Sequence, residues 1–450
     1  VSQAIFSELA LLPDGWASKV RLIIENGRFA HLQRDAAASP EDERVAVLLP
    51  GMSNVHSHGF QRGMAGLTEY RGPEADNFWS WRELMYRFVG RMTPDDIEAI
   101  TAMAYVEMLE SGYTRVGEFH YVHHDVEGRA FADPAETATR IVAAAHATGI
   151  ALTLLPVFYA HSNFGGQPPA PGQRRFITTP DQYANLVGAC RRLAASLPDA
   201  RVGVAPHSLR AVTPEQLQVV TALAGGGPIH IHAAEQVREV EDCRAWSGTT
   251  PVQWLLDHAA LDEHWCLVHA THLTREEIAG LAASGAVAGF CPVTEANLGD
   301  GIAPASSFMA AGGVFGIGTD SNVLISVREE LRQLEYSQRL RDRSRNVLAT
   351  RDTQSTGHAL FAGAQRGGSR ALGVEQDGAI VEGAPADCFS LATESALPTR
   401  DALLDSFIFA PAPRVQHLWR GGRKVVSGGV HCARPAVRQR YDRSLAGLLA

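Results

Sequence analysis

From about residue 48 to 325, short apolar runs alternate with longer stretches in which apolar positions return at helical spacing. This is the sequence form of repeated strand and helix units around a parallel sheet. Eight runs read as strands: VLLPGMSNVH (47–56), TRVGEFHY (114–121), ALTLLPVFY (151–159), RVGVAPH (201–207), PIHIHAA (228–234), CLVHAT (266–271), AVAGFCP (286–292) and VFGIGTD (314–320). Their nearly unbroken apolar character suits strands covered on both faces. The segments between them repeatedly open with helix-start chemistry: a Thr side chain caps free backbone N–H groups and a following Pro presets φ. Thr93-Pro94, Thr179-Pro180 and Thr213-Pro214 fit this pattern, and Thr213 with Gln216 and Thr274 with Glu277 have capping-box spacing.

Strands and helices in this order fit either a closed (β/α)8 barrel or an open doubly wound sheet. The polar residues favour the barrel, because His56, His232, His269 and Asp320 each fall at the C-terminal end of a different strand, where barrels gather their chemistry. The two ends of the chain read differently. Residues 1–47, with the turns Pro13-Asp14-Gly15 and Glu25-Asn26-Gly27, are strand-like, and residues 375–432 resume that character. The expected architecture is therefore α/β: a (β/α)8 TIM-like barrel over 48–374, with a small, discontinuous β-sandwich-like domain built from 1–47 and 375–450. Residues 163–178 and 292–310 read as loops over the barrel mouth.

Composition narrows the partners. A chain of 450 residues should bury roughly three quarters of its unfolded surface, and usage of 45% hydrophobic and 20% charged residues is ordinary globular composition. No run approaches a bilayer-spanning length, and the first residues lack the basic and apolar regions of a secretory signal, so the expectation is a cytoplasmic protein with no membrane partner. The six cysteines are scattered without a CxxC pair and are expected to be reduced thiols. A formal charge of -9 with no dense basic run argues against nucleic acid and for a small-molecule partner.

The candidate chemistry lies at the strand ends. His56-Ser57-His58 is an HxH whose period of two puts both imidazoles on one strand face, within reach of one ion. In a chain with 18 histidines this pair alone is weak. HIHAAE closes the fifth strand with His232 three residues before Glu235, LVHATH closes the sixth with His269, and GIGTDSN the eighth with Asp320. His230 shares the face of His232; His232 is preferred as ligand because it lies nearer the strand's C-terminal end, leaving His230 a hydrogen-bonded barrel residue. His272 reads as a loop or helix-cap residue, and His123 and His124 as surface residues.

Taken in order, HSH, HIHAAE, VHATH and GTDSN resemble the amidohydrolase superfamily, specifically its deaminase and chlorohydrolase branch, over nearly the whole chain. The resemblance implies metal ligands His56, His58, His232 and Asp320, with Glu235 and His269 as catalytic groups outside the ligand set. Two-metal members usually carry a carboxylated Lys or a Glu in the middle strands; APHSLR and PVFYAH offer neither, so one divalent metal per chain is expected. Three imidazoles and a carboxylate suit Zn2+, with Fe2+ as the alternative. Zinc lowers the pKa of a bound water to about 7. Asp320 would take the water's proton, Glu235 would protonate the nitrogen under attack, and His269 would steady the tetrahedral intermediate.

The connection between the first two strands is long, and its HGFQRGMAGLTE (58–69) and DNFWSWRELMYRF (76–88) resemble the formimidoylglutamate deiminases of histidine degradation, which release ammonia from N-formimidoyl-L-glutamate to leave N-formyl-L-glutamate. A dicarboxylate substrate calls for planar guanidinium donors, for which Arg82 and Arg210 are the candidates. The resemblance adds Gln61, Tyr121 and His207 as substrate-binding residues. It also implies a homodimer, whose interface the sequence does not locate. The alternatives are a sister deaminase acting on guanine or an adenosine derivative, and a silent barrel used for binding or assembly.

Overall fold

The computed structural model describes residues 3–72, 76–393 and 400–450. Residues 1–2, 73–75 of the long connection and 394–399 of the C-terminal strand-like stretch lie outside the described residues.

Four N-terminal strands, β1 (Gln3–Leu12), β2 (Gly15–Glu25), β3 (Arg28–Gln33) and β4 (Glu43–Pro50), precede the barrel strands β5 (Met52–Ser57), β6 (Tyr113–His120), β7 (Ala151–Phe158), β8 (Arg201–Val202), β9 (Ala205–Pro206), β10 (Ile229–Ala233), β11 (Trp265–His269), β12 (Val287–Phe290) and β13 (Val314–Ile317). After them come β14 (Cys388–Ala392), β15 (Arg414–Arg420), β16 (Arg423–Ser427) and β17 (Val430–His431). The barrel strands pair in parallel in the order β10-β11-β12-β13-β5-β6-β7-β8, with β9 also on β7. The seam is closed by bridges Val204–Ile229 and Ser208–His232. The chain therefore adopts the α/β barrel fold. The terminal strands form one continuous sheet, β17-β16-β15-β14-β4-β1-β2-β3, around a small core of its own that includes Ile5, Val20, Phe29, Val45 and Trp419.

The run 47–56 is two strands, not one. Its first half, in β4, pairs with β1 and β14, and its second half is β5 of the barrel. The switch is at Gly51, where a Cβ would sit 2.2 Å from Thr114 Oγ1, so only glycine fits between the sheets.

The helices are α1 (Phe78–Val89), α2 (Pro94–Ser111), α3 (Glu136–Thr148), α4 (Pro180–Ala194), α5 (Pro214–Ala222), α6 (Val237–Ser247), α7 (Pro251–His258), α8 (Arg275–Ser284), α9 (Pro292–Leu298), α10 (Ala305–Ala310), α11 (Val327–Asp342), α12 (Thr356–Ala371), α13 (Asp401–Phe409) and α14 (Arg434–Leu449). Thr93, Thr179, Thr213 and Thr274 each accept a bond from the N–H three residues on, whose side chain bonds back, at the starts of α2, α4, α5 and α8. Helix α12 lies directly on the barrel strands: a Cβ on Gly367 would fall 1.9 Å from the Phe315 carbonyl oxygen.

Two expectations need correction. The stretch 292–310 is not loop alone but carries α9 and α10; Pro292 at the first turn of α9 and Gly299 in left-handed conformation at its end were the overlooked start and stop signals. The strand-like C-terminal stretch contains α13, whose Leu403, Leu404, Phe407 and Ile408 are buried at helical spacing. The terminal helix α14 lies against α2, with Arg440 paired to Glu98 at 2.6 Å. Among the described residues no helix is long and apolar enough to cross a membrane.

Candidate active site

The C-terminal ends of β5, β10 and β13 bring His56, His58, His232 and Asp320 together, with one ligand atom of each within 4.8 Å of the others. The backbone there is unusual. Ala234, His269, Ala270, Asp320 and Asn322 all adopt positive φ, between 44° and 72°, which costs non-glycine residues energy and marks places where the surroundings impose a side-chain direction. Much of that imposition comes from a polar knot between β5 and the turn after β13. Asn322 Nδ2 donates to Ser57 Oγ at 3.1 Å and to the His58 carbonyl at 3.0 Å. Thr319 Oγ1 donates to Asn322 Oδ1 at 2.6 Å and accepts from Asn54 Nδ2 at 2.7 Å. All of these residues are buried, so each bond is made in a low-dielectric setting.

Two of the three imidazoles are set as acceptors by backbone carbonyls. Nδ1 of His58 lies 2.9 Å from the Phe119 carbonyl and Nδ1 of His232 2.9 Å from the His207 carbonyl, so these nitrogens carry the ring protons. Both Nε2 lone pairs then face His56 Nε2, at 3.1 Å each. Asp320 Oδ1 stands 3.2 Å from His58 Nε2 and 3.4 Å from His56 Nε2. Burial pushes His56 down to about 3, against the opposing pull of Asp320, and holds His232 well below the usual range. Neutral imidazoles with converging lone pairs repel one another unless a cation lies between them. The donor set, three imidazole nitrogens and one carboxylate oxygen, with the His58 and His232 rings oriented by backbone carbonyls, fits a divalent transition metal.

Beside this cluster sit Glu235 and His269. Glu235 Oε1 is 3.6 Å from His269 Nε2, and its Oε2 is 3.6 Å from Arg210 Nη2. Burial raises the Glu235 carboxyl, opposed by His269 and Arg210. Burial alone would lower His269, but Glu235, Glu295 and Asp320 outweigh it and raise the imidazole to about 10. Its Nδ1 is 3.3 Å from Glu295 Oε1, and its Nε2 has no hydrogen-bond partner among the described residues. His230, one strand position earlier on the same face, bonds the Ala371 carbonyl at 2.8 Å.

A cavity of about 540 Å³, counted out to its mouth, opens onto the cluster. Gln61, Arg82, Tyr121, His207 and Arg210 all line it, together with Glu235 and Asp320. Gln61 Nε2 donates to Tyr121 at 2.8 Å, while its buried Oε1 has no partner among the described residues. His207 is held neutral first by burial and then by Arg210. Among the described residues no hydrogen-bond partner meets Arg82 Nε or Arg210 Nε and Nη2; Arg82 lies over Trp79, 4.5 Å from the ring centroid. The cavity thus joins a lone-pair cluster and a carboxyl at its floor to two guanidinium groups with donors to spare.

His123 and His124, expected at the surface, are buried. Residues 121–135 fold back beneath the 160–178 segment, and the two Nε2 atoms bond the Val157 and Ile177 carbonyls at 2.8 and 2.7 Å. His272 is a half-buried loop residue bonded to the Asp300 carbonyl at 2.9 Å. Sequence reasoning passed over Asn54, Thr319, Asn322, Glu239 and Glu295, which brace the strand ends. The Asn after GTDS was the one available signal; the rest are ordinary polar residues until the strands come together.

Comparison with known proteins agrees with this geometry. Residues 47–425 match the amidohydrolase family, and residues 2–46 match the N-terminal domain of formimidoylglutamate deiminase HutF. The chain is 51% identical to formimidoylglutamate deiminase of Pseudomonas aeruginosa, covering 99% of both proteins. It is 28% identical to 8-oxoguanine deaminase of the same organism, over 91% of this chain and 90% of the relative. The crystal structure of an amidohydrolase from Brucella melitensis superposes with a TM-score of 0.98 at 54% identity, covering 100% of both chains.

Proposed function

The chain belongs to the amidohydrolase family, a family of metal-dependent hydrolases, and we propose that it converts N-formimidoyl-L-glutamate and water to N-formyl-L-glutamate and ammonia. The observation that carries the reading is a pocket with a three-imidazole and carboxylate cluster at its floor and two guanidinium groups with unbonded donors on its walls. The relative with 51% identity over 99% of the chain is a formimidoylglutamate deiminase, in keeping with that chemistry.

His56, His58, His232 and Asp320 would hold one divalent metal, Zn2+ on this donor set, with Fe2+ as the alternative. When bound, such an ion supplies Lewis acidity and lowers the pKa of water at the site. A C–O bond forms at the formimidoyl carbon and the C–N bond to the terminal nitrogen breaks, releasing ammonia. Asp320 accepts the water's proton. Glu235 delivers a proton to the imino nitrogen, a role favoured by burial, which raises its carboxyl above the ordinary range. His269, cationic between Glu235 and Glu295, directs its unbonded Nε2 toward the developing oxyanion. Gln61 Oε1, a buried acceptor without a partner among the described residues, takes an amidine N–H, with Tyr121 and His207 beside it. Arg82 and Arg210 bind the carboxylates.

In this reading the barrel with these ligands spans residues 48–374 and the terminal segments 1–47 and 375–450 form the second domain, with Leu48, Leu49 and Pro50 of β4 pairing in the second domain's sheet. The protein acts on a small molecule in the cytoplasm, as a homodimer. Ammonia release by purified enzyme, with formimidoylglutamate and guanine side by side, tests the substrate. Turnover of guanine alone removes the assignment. Metal analysis should find one ion per chain; a folded, metal-free protein that Zn2+ does not activate would favour a silent barrel.

A further inference from the structure

Gln173 is almost fully buried on the segment that crosses the pocket between β7 and α4. Its Oε1 accepts from the Ala170 N–H at 2.7 Å, which fixes the amide so that the NH2 group faces inward. That group donates to the phenol oxygen of Tyr159 at 2.7 Å and to that of Tyr86 at 3.3 Å. Both phenols are buried and line the pocket that contains Arg82 and Arg210. The guanidinium of Arg82 lies over the Tyr86 ring, 5.5 Å from its centroid, and the Tyr159 ring packs 4.5 Å from His207.

Counting donors gives the consequence. Gln173 occupies one acceptor position on each phenol oxygen, and two neighbouring phenols share at most one O–H between themselves. One phenol proton is therefore left over, and no described residue accepts it from Tyr86 or Tyr159. It joins Arg82 Nε and Arg210 Nε and Nη2, which are equally unbonded. Among the described residues none of these four donors has a hydrogen-bond acceptor, and Arg210 Nη2 has only the Glu235 and Glu239 carboxylates at 3.6 and 3.9 Å, so the pocket wall carries buried donors that an incoming carboxylate can satisfy. We propose that Tyr86 and Tyr159, oriented by Gln173, are specificity-determining residues that donate to the substrate carboxylate held by Arg82 and Arg210. The same segment holds the helix carrying Arg82 and Tyr86: Arg175 donates to the Val89 and Met92 carbonyls at the end of α1. This proposal rests on the dicarboxylate reading above and deepens it.

The test uses the metal-loaded enzyme with Tyr86→Phe, Tyr159→Phe and the double variant, and Gln173→Glu as a further variant that turns both phenol protons toward the new carboxylate. Two quantities are read: kcat and KM for formimidoylglutamate, and the calorimetric Kd for glutarate, which has both carboxylates but no formimidoyl group. A neutral donor to a charged acceptor contributes enough for about a ten- to hundredfold effect. KM and the glutarate Kd should both rise about tenfold or more in at least one single variant and further in the double, with metal content unchanged. Unaltered glutarate affinity in every variant, or a fall in kcat alone, overturns the proposal, as does wild-type enzyme that does not bind glutarate. Wild-type enzyme that binds glutarate but does not hydrolyse formimidoylglutamate refutes the reaction instead, and the glutarate arm still decides the donors.

Discussion

Replacing Glu235 by Gln keeps the shape of the side chain and removes its exchangeable proton. Glu235 is 4% exposed, with one oxygen 3.6 Å from His269 and the other 3.6 Å from Arg210, and it is the carboxyl on the cavity lining placed beside His269 to carry the proton. Proton transfer by a positioned group contributes about 10²- to 10⁴-fold, or about 3–5 kcal/mol in the barrier at 1.36 kcal/mol per tenfold. The stability loss should be smaller. Arg210 retains Glu239 at 3.9 Å and His269 retains Glu295 at 3.3 Å, so no buried cation is left without a carboxylate. A cost of about 1–3 kcal/mol is expected for the weakened contacts. Ammonia release should therefore fall by at least two orders of magnitude in kcat, while metal content stays at the wild-type value and the melting temperature drops by only a few degrees. A Glu235→Gln enzyme with full metal and kcat within about threefold of wild type would refute the proton-transfer role.

Arg82→Met keeps the stacked side-chain volume on Trp79 but removes the free Nε donor; kcat/KM for formimidoylglutamate should fall about ten- to hundredfold, mainly through KM, with metal unchanged. Unaltered kinetics would place Arg82 outside the substrate site. Asn322→Ala cuts the knot that orients His58 and Asp320 without touching the cavity, and metal affinity measured by competition with a chelator should drop about ten- to hundredfold. Equal affinity would show that the strand ends hold their geometry without it. His123 is depressed by burial from its ordinary 6.5 to about 4. Between those values the unfolded chain binds a proton that the folded one refuses, so stability is lost as pH falls from about 6.5 toward 4, by about 3 kcal/mol for this group. Thermal melts of wild type and His123→Gln across that window should show a shallower pH dependence in the variant; parallel curves would refute it.

The sequence alone determined what depends on local pattern. Apolar runs at regular intervals named the barrel strands, because strands covered on both faces must be apolar along their length. The four Thr caps marked helix starts, because a cap is a contact between residues three apart. Strand-end positions singled out His56, His232, His269 and Asp320, and the family resemblance picked out His56, His58, His232 and Asp320, whose ligand atoms lie within 4.8 Å of one another. Tertiary structure decided whatever depends on partners distant in the chain. The break of the first strand at Gly51 follows from contact with Thr114, more than sixty residues on, and α13 depends on an apolar face covered by α11, α12 and Phe389 of β14. His123 and His124 look like polar loop residues until the 160–178 segment covers them. The bracing of the site by Asn54 and Asn322, 268 positions apart, leaves no local pattern, since a hydrogen bond across a closed barrel imposes no spacing on the chain. The ends of strands are legible because geometry repeats along the chain; the bonds that hold those ends in place appear only when the barrel closes.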